Sequence, residues 1–341
     1  SCGGGGVSPT PSLDGVITAE ELERTAVHLA SLQHDNGMIP WFPGGHCDPW
    51  NHVETAMALD VAGMHKEAER AYEWLADVQR ADGSWHNYYA NDGSIEDSKL
   101  DTNVCAYIAT GVWHHWRSTW DRGFADNMWP TVERALEFVL SLRRDDGLAL
   151  WAIEPDDRPW TYALMTGTSS IQHALRCGAQ LADALNDPKP HWTRAADEMI
   201  EMVRNRPEAF EPKKRWAMDW YYPVLTGAMT NHEAKARMAD GWDTFVMEGH
   251  GIRCVSDEPW VTASETAECA LAFAAIGDVS TATDLLKWTR THRREDGSYW
   301  TGIVYPGEVL FPFDEHTSYT AAAVILAVDA ITRTTQASNL F

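Results

Sequence analysis

No stretch of this chain reaches the roughly 18 consecutive apolar residues that a membrane-spanning helix requires, so a helical span is excluded. Basic side chains are scarce: 27 Lys and Arg stand against 50 Asp and Glu, a net charge of −23. Nucleic-acid backbones and anionic membrane surfaces would be repelled and are set aside as partners. Cysteine is sparse too. The six, at 2, 47, 105, 177, 254 and 269, contain no CxxC pair and no dense framework, so they read as small buried hydrophobes in a reducing, cytoplasmic setting. Histidine shows no HExxH spacing. His114 and His115 are adjacent and point different ways on a helix, and His46, His52 and His316 stand apart, so no metal site is expected. Period-two alternation of Val, Ile and Thr is nearly missing, which leaves strands as a minor element.

What the chain has instead is a repeated phrase. Gln79-Arg80-Ala81-Asp82-Gly83-Ser84-Trp85 ends an amphipathic stretch with a Gly stop and an aromatic. The same punctuation recurs as Gln33-His34-Asp35-Asn36-Gly37, as Arg144-Asp145-Asp146-Gly147 and as Arg294-Glu295-Asp296-Gly297-Ser298-Tyr299-Trp300. Between the glycines lie intervals of 46, 64 and 150 residues. The last gap has room for two worn units, which makes six units of about fifty residues and a repeat architecture.

Each unit reads as a helical hairpin. Thr18-Ala19-Glu20-Glu21 is a capping box, after which Leu22, Ala26, Leu29 and Leu32 hold one apolar stripe. A second helix from about Asn51 to Gly63 is apolar all round. An amphipathic helix beside an apolar one predicts two layers, outer and inner. Further outer candidates are 65–80, 129–144, 192–204, 233–245 and 281–293; inner ones are 102–116, 169–185, 220–229, 264–277 and 316–332. Twelve helices in six hairpins predict an all-α, single (α/α)6 toroid over 13–335. The alternative is an open solenoid, but neither end carries a polar capping repeat. Residues 1–12 read as a flexible leader and 336–341 as a tail. Cys2 followed by glycines also matches a processed lipoprotein start, which would make the protein lipid-anchored or exported.

Parallel inner helices gather their N-termini, with free N–H groups and partial positive charge, at one mouth. The segments there are rich in acids, hydroxyls and aromatics: Asp48-Pro49-Trp50-Asn51-His52-Val53-Glu54, Asp101-Thr102-Asn103, Thr166-Gly167-Thr168-Ser169-Ser170, Asp219-Trp220-Tyr221-Tyr222, Trp260-Val261-Thr262-Ala263-Ser264-Glu265 and Asp314-Glu315-His316-Thr317. Asp, Ser and Thr at helix starts are caps by default, and Asp101 and Ser169 fit that role alone. Caps need no aromatic beside them, however, and an inward Glu54 or Glu265 needs a partner or a function. Of the 17 tryptophans, Trp74, Trp116, Trp192, Trp242 and Trp288 read as packing. Trp50, Trp220, Trp260 and Trp300 fall in mouth segments, where a ring can stack on a sugar or face a cation.

The phrase around Gly83 resembles the QW-type repeat of squalene/hopene cyclases and the toroid of protein prenyltransferase β subunits. Asp314-Glu315-His316-Thr317-Ser318-Tyr319 is similar to the zinc-histidine segment of those subunits, and the whole resembles stand-alone actinobacterial proteins labelled prenyltransferase. Their chemistry does not carry over. Ser98-Lys99-Leu100-Asp101 lacks the cyclase Asp-x-Asp-Asp, and Ser264-Glu265-Thr266-Ala267-Glu268-Cys269 lacks the zinc-site Asp-x-Cys. Trp260-Val261-Thr262-Ala263-Ser264-Glu265-Thr266-Ala267 resembles six-hairpin glycosidases, including unsaturated-uronyl hydrolases, and Asp48-Pro49-Trp50 with Glu54 resembles glucoamylase-like toroids. Fold alone does not give the reaction.

An acidic, polar mouth suits a polyhydroxylated substrate, each of whose hydroxyls must be paired. The expectation is a glycoside hydrolase-like enzyme with an oligosaccharide or other small-molecule substrate. Asp101, Asp219, Glu265 and Glu54 are its candidate acids and bases. Asp48, Trp50, Asn51, Asn103, Ser169, Tyr221, Trp260, Trp300, Glu315 and His316 are its candidate binding groups. No cofactor is expected. The alternatives are an isoprenoid cyclase or prenyltransferase, which alone would call for Mg or Zn, and a non-catalytic binding toroid.

Overall fold

A computed structural model describes residues 8–341; Cys2 and the start of the leader lie outside the described residues. Six outer helices are α1 (Ala19–Leu32), α3 (His65–Val78), α5 (Arg122–Ser141), α7 (Pro190–Asn205), α9 (Asn231–Phe245) and α11 (Val279–Trp288). Six inner helices are α2 (Pro49–Val61), α4 (Thr102–Thr119), α6 (Met165–Ala184), α8 (Ala217–Leu225), α10 (Ala263–Ala275) and α12 (Ser318–Thr332). Each inner helix packs on the next, and α12 packs back on α2, so the ring is closed.

Burial follows the two sequence patterns. Outer α7 buries only Trp192, Ala195, Ala196, Met199 and Val203, one stripe at helical spacing. Inner α2 buries every residue except Trp50 and Asn51, at its mouth end.

Several boundaries differ from the sequence reading. Helix α5 begins at Arg122 because Asp121 caps it through the Phe124 N–H at 3.1 Å. Helix α6 starts at Met165, four residues ahead of Ser169, and α8 stops at Leu225. A five-stranded antiparallel sheet runs through 246–247, 251–253, 260–262, 302–304 and 309–310, where mostly loop was expected. Strands of two or three residues are too short to show alternation. The sheet joins the segments before α10 and α12 beside the mouth.

The repeated phrase staples the outer ring. Gln33 Nε2 donates to the Gly37 carbonyl at 3.0 Å and to Glu67 of α3 at 2.9 Å. Gln79 repeats this with Gly83 at 3.0 Å and Thr131 of α5 at 2.9 Å. Arg70 and Arg134 return bonds to those glutamines at 2.8 and 2.7 Å. At the seam, Thr25 Oγ1 of α1 donates to the Gly297 carbonyl at 2.8 Å. The fourth residue after three of the glycines binds the inner ring: the carbonyls of Trp151, Thr301 and Trp41 accept the first N–H of α4, α10 and α12 at 2.9, 3.2 and 2.7 Å.

The tail residues 336–341 are fastened at the ends away from the mouth. Trp120 Nε1 and Arg117 bond to Gln336, and His173 of α6 donates to the Leu340 carbonyl at 2.9 Å. Among the described residues no helix is long and apolar enough to cross a membrane.

Candidate active site

Asp48 and Asp101 cap adjacent inner helices by the same device. Asp48 accepts the Asn51 N–H at 3.0 Å, the Asn51 side-chain amide at 2.8 Å and the Trp41 indole N–H at 2.7 Å. Asp101 accepts the Val104 N–H at 3.0 Å and the Trp151 indole at 2.7 Å. Trp41 and Trp151 occupy the same place, four residues after the phrase glycine. Both aspartates are buried. Burial raises the Asp48 carboxyl above its ordinary range and pushes Asp101 up to about 6, against the N–H donors that favour the anion.

Glu265 completes the set from the first turn of α10. It is only half-buried and accepts the Ser264 hydroxyl at 2.5 Å. Tyr319, at the second position of α12, links the two sides: its phenol is raised by burial and by the nearby charges of Glu265, Glu315 and Asp48. Trp41 sits edge-on to Tyr319 at 5.1 Å and to Tyr88 at 5.8 Å. Tyr88 in turn feels Asp48 and Asp101. Glu265, Asp48 and Asp101 therefore follow one another around one half of the mouth.

One helical turn deeper, the sixth residues of α2, α4, α8 and α10 (Glu54, Tyr107, Tyr222 and Glu268) form a floor. Glu54 accepts the Tyr107 hydroxyl at 2.5 Å, and Glu268 accepts that of Tyr221 at 2.6 Å. Trp50 stacks on Tyr107 at 4.3 Å and leans on Tyr222 at 6.4 Å across the axis. Burial holds Glu54 up at about 7 and, with the charges of Glu54 and Glu265, holds Glu268 well above the carboxylate range.

A raised carboxyl stabilises the fold while protonated. That contribution is complete below the ordinary Glu value of 4.5 and is lost as pH rises towards 7. Glu54→Gln, which can still accept from Tyr107, is expected to gain stability over the parent as pH climbs through that window. Denaturant midpoints at several pH values check this, and a constant difference between the two proteins would refute it.

No family model matches the sequence. A mannosidase of Mycolicibacterium hassiacum, MMP endo-(1,4)-3-O-methyl-alpha-D-mannosidase, is 47% identical over 331 residues, covering 97% of this chain and 91% of its own length. The chain belongs to the family of that glycoside hydrolase. An uncharacterized glycosyl hydrolase of Methanocaldococcus jannaschii is 28% identical over 44% of this chain and 24% of its own. Among solved structures, a wild-type glycosidase superposes with a TM-score of 0.75 at 14% identity, over 93% of this chain and 97% of its own. A D-mannose isomerase gives 0.73 at 10%, over 92% and 97%. At such identities these two speak for the toroid only. The resemblance to six-hairpin glycosidases is thus the one the relatives support, over the isoprenoid alternative.

The hydrolase places its other candidate residues unevenly. Asn51 holds Asp48. Asn103 Oδ1 is buried with no hydrogen-bond partner, as is the Trp50 indole N–H. Asp219, raised by burial against Arg237, Lys214 and Lys213, lines a separate recess of 760 Å³. Ser169 and Tyr221 are fully buried, and Tyr221 is occupied with Glu268, so these two lie beneath the mouth surface. Trp220 is packing: its indole donates to the Arg237 carbonyl at 2.8 Å and stacks on Phe245. Trp260 bonds the Phe311 carbonyl at 3.1 Å on the sheet. Trp300 meets the Arg294 guanidinium at 4.6 Å and the edge of His316, beside Glu315, whose carboxyl burial raises.

Trp41, Tyr88, Tyr107, Trp151, Glu268 and Tyr319 escaped the sequence reading. Glu268 had a signal, since it stands sixth in α10 as Glu54 does in α2. Histidines are held by protein partners: His115 bridges Asp60 at 2.9 Å and Glu69 at 3.2 Å, and His52 bonds the Ala71 carbonyl. Among the described residues no group of His, Cys, Asp and Glu suits a metal ion.

Proposed function

We propose that this hydrolase is an endo-acting α-mannosidase that cleaves (1,4) bonds in a 3-O-methylated mannose chain, as the Mycolicibacterium relative is named to do. The identity of 47% across 97% of the chain carries the reading. The acidic mouth supplies a mechanism. Asp48, whose carboxyl burial raises, gives its proton to the glycosidic oxygen as the C1–O bond breaks. Glu265, more open to solvent and within reach of the mouth, takes a proton from the water that attacks C1 on the other face. Helix α12 stands between their helices, and neighbouring axes are roughly 8–10 Å apart. Two such spacings, less the inward reach of the two side chains, leave room for a water, the arrangement of inverting hydrolases, whose carboxyls lie about 6.5–9.5 Å apart.

Asp101 and the Asn103 Oδ1, without a partner among the described residues, accept sugar hydroxyls in this reading, while Trp50 offers a ring at the base of the mouth. Glu54 and Glu268 shape that base from below.

The test is digestion of an α-(1,4)-linked 3-O-methylmannose oligosaccharide and of its unmethylated counterpart. Internal fragments of the methylated chain are expected, with the β-anomer first in proton NMR. Failure of the folded protein to cut the methylated chain would discard the substrate. The α-anomer first would discard the inverting roles of Asp48 and Glu265.

A further inference from the structure

A second feature lies beside the mouth and takes no part in bond cleavage. Residues 151–162 form a hairpin, closed by the Trp151 N–H on the Tyr162 carbonyl at 2.8 Å and the Trp160 N–H on the Ala152 carbonyl at 2.9 Å. Trp151 and Tyr162 stack at 5.4 Å, 14° from parallel, and Trp160 stands edge-on to Trp151 at 5.0 Å. The Lys99 ammonium lies 4.3 Å from the Trp151 ring centre and 5.8 Å from that of Trp160. Trp160 keeps 38% of its surface exposed. Among the described residues, Trp151, Trp160 and Tyr162 belong neither to the buried core nor to the side chains packed against it, so core packing does not call for the cluster.

Two neighbours point to a ligand. At one end Trp151 bonds Asp101, next to Asn103, whose buried Oδ1 has no donor among the described residues. At the other, Tyr162 lines the 760 Å³ recess together with Asp219, Arg144 and Lys213. A cavity of this size accepts several sugar rings, since sites for small ligands run from about 300 to 1,000 Å³. Flat aromatic faces beside carboxylate, amide and ammonium groups suit a chain that is apolar on its C–H faces and polar at its hydroxyls.

We propose that the Trp160–Tyr162 shelf and the recess behind it form a remote carbohydrate subsite, which grips an uncleaved stretch of the polysaccharide while another stretch occupies the mouth. The inference rests on the carbohydrate reading above and adds to it a place for the remainder of the chain. It gives internal cleavage a physical basis, because the chain leaves the mouth along the shelf.

The experiment compares Trp160→Ala and Tyr162→Ala with the parent on two α-(1,4)-linked 3-O-methylmannose oligosaccharides. One is just long enough to fill the mouth, and the other is long enough to reach the recess. Both variants are expected to raise KM for the long chain about tenfold, the scale of one well-placed aromatic contact. For the short chain kcat and KM should stay at parental values. Calorimetric binding to the full-length Glu265→Gln protein, with and without Trp160→Ala, reads affinity apart from turnover.

If the Glu265→Gln protein binds neither oligosaccharide, the carbohydrate reading fails and this inference with it. If it prefers the long chain and the shelf variants leave that preference intact, the inference alone is overturned. A long-chain preference that vanishes in salt and with Lys213→Ala, yet survives both aromatic changes, also overturns it, because the recess would then hold an anion.

Discussion

Glu265→Gln is expected to lower kcat by about 10³ while leaving the melting curve in place, since general acid–base groups contribute roughly 10² to 10⁴. Gln keeps the shape and can still accept the Ser264 hydroxyl, but it cannot take the proton of the attacking water. Glu265 is half-buried with a single close side-chain donor besides the weak Cys254 thiol contact at 3.6 Å, so the fold loses little. Asp48→Asn should cost a similar factor on a sugar leaving group. On a glycosyl fluoride, whose leaving group needs no proton, Asp48→Asn should recover most of its rate and Glu265→Gln should not.

The pH profile separates the two further. Burial raises Asp48, and the acid works only when protonated, so parental activity falls as pH rises through that elevated value. The fall should be missing from Asp48→Asn assayed on the fluoride. Activity within a few-fold of the parent in Glu265→Gln would end its assignment as the base. Loss of the fluoride reaction in Asp48→Asn would shift the acid's role to Asp101, held by the same Trp-and-cap device.

Gly83→Ala should be among the most damaging single methyls in the scaffold, at about 3 kcal/mol or more. Gly83 has φ +93°, in the left-handed region, and an added Cβ would collide with the carbonyl of Arg134 on the next outer helix. Gly37 stands in the same relation to Arg70, at φ +100°. Gly44 is the control: its φ is +79°, but nothing lies within 4 Å of its would-be Cβ. Gly44→Ala should therefore lose only the backbone share, roughly 1–2 kcal/mol. Equal denaturant midpoints for Gly44→Ala and Gly83→Ala would show that the staple contributes no packing constraint.

The fold was legible because its two signals are local. Apolar stripes and all-apolar helices repeat along the chain, and the Asp-Gly punctuation counts the units. The mouth was legible as a place, because inner-helix N-termini must converge. Choosing residues within it was harder. Asp219 and Ser169 satisfy the same composition rule as Asp101, yet one lines a recess and the other is buried beneath the surface. What distinguishes the aspartates is the indole that reaches each of them, Trp41 seven residues before Asp48 and Trp151 fifty residues after Asp101. The first could be suspected from spacing along the chain. The second depends on how neighbouring hairpins stand, which only the closed ring fixes. Short strands and the Glu54–Glu268 floor were hidden for the same reason.

The seam between the last hairpin and the first has a consequence for how the chain is made. Thr25 binds Gly297 across 272 residues, and the first N–H of α12 binds Trp41. Synthesis from the N-terminus therefore delivers α1 and α2 long before the helices that cover their open side exist. Intermediate hairpins can dock in order as they emerge, but the first pair stays a half-finished edge until α12 leaves the ribosome. Long-range closure of this kind is slow and leaves apolar surface exposed meanwhile. The nascent toroid's most vulnerable surface is thus its first-made hairpin, and a chaperone acting on this protein would be needed longest there.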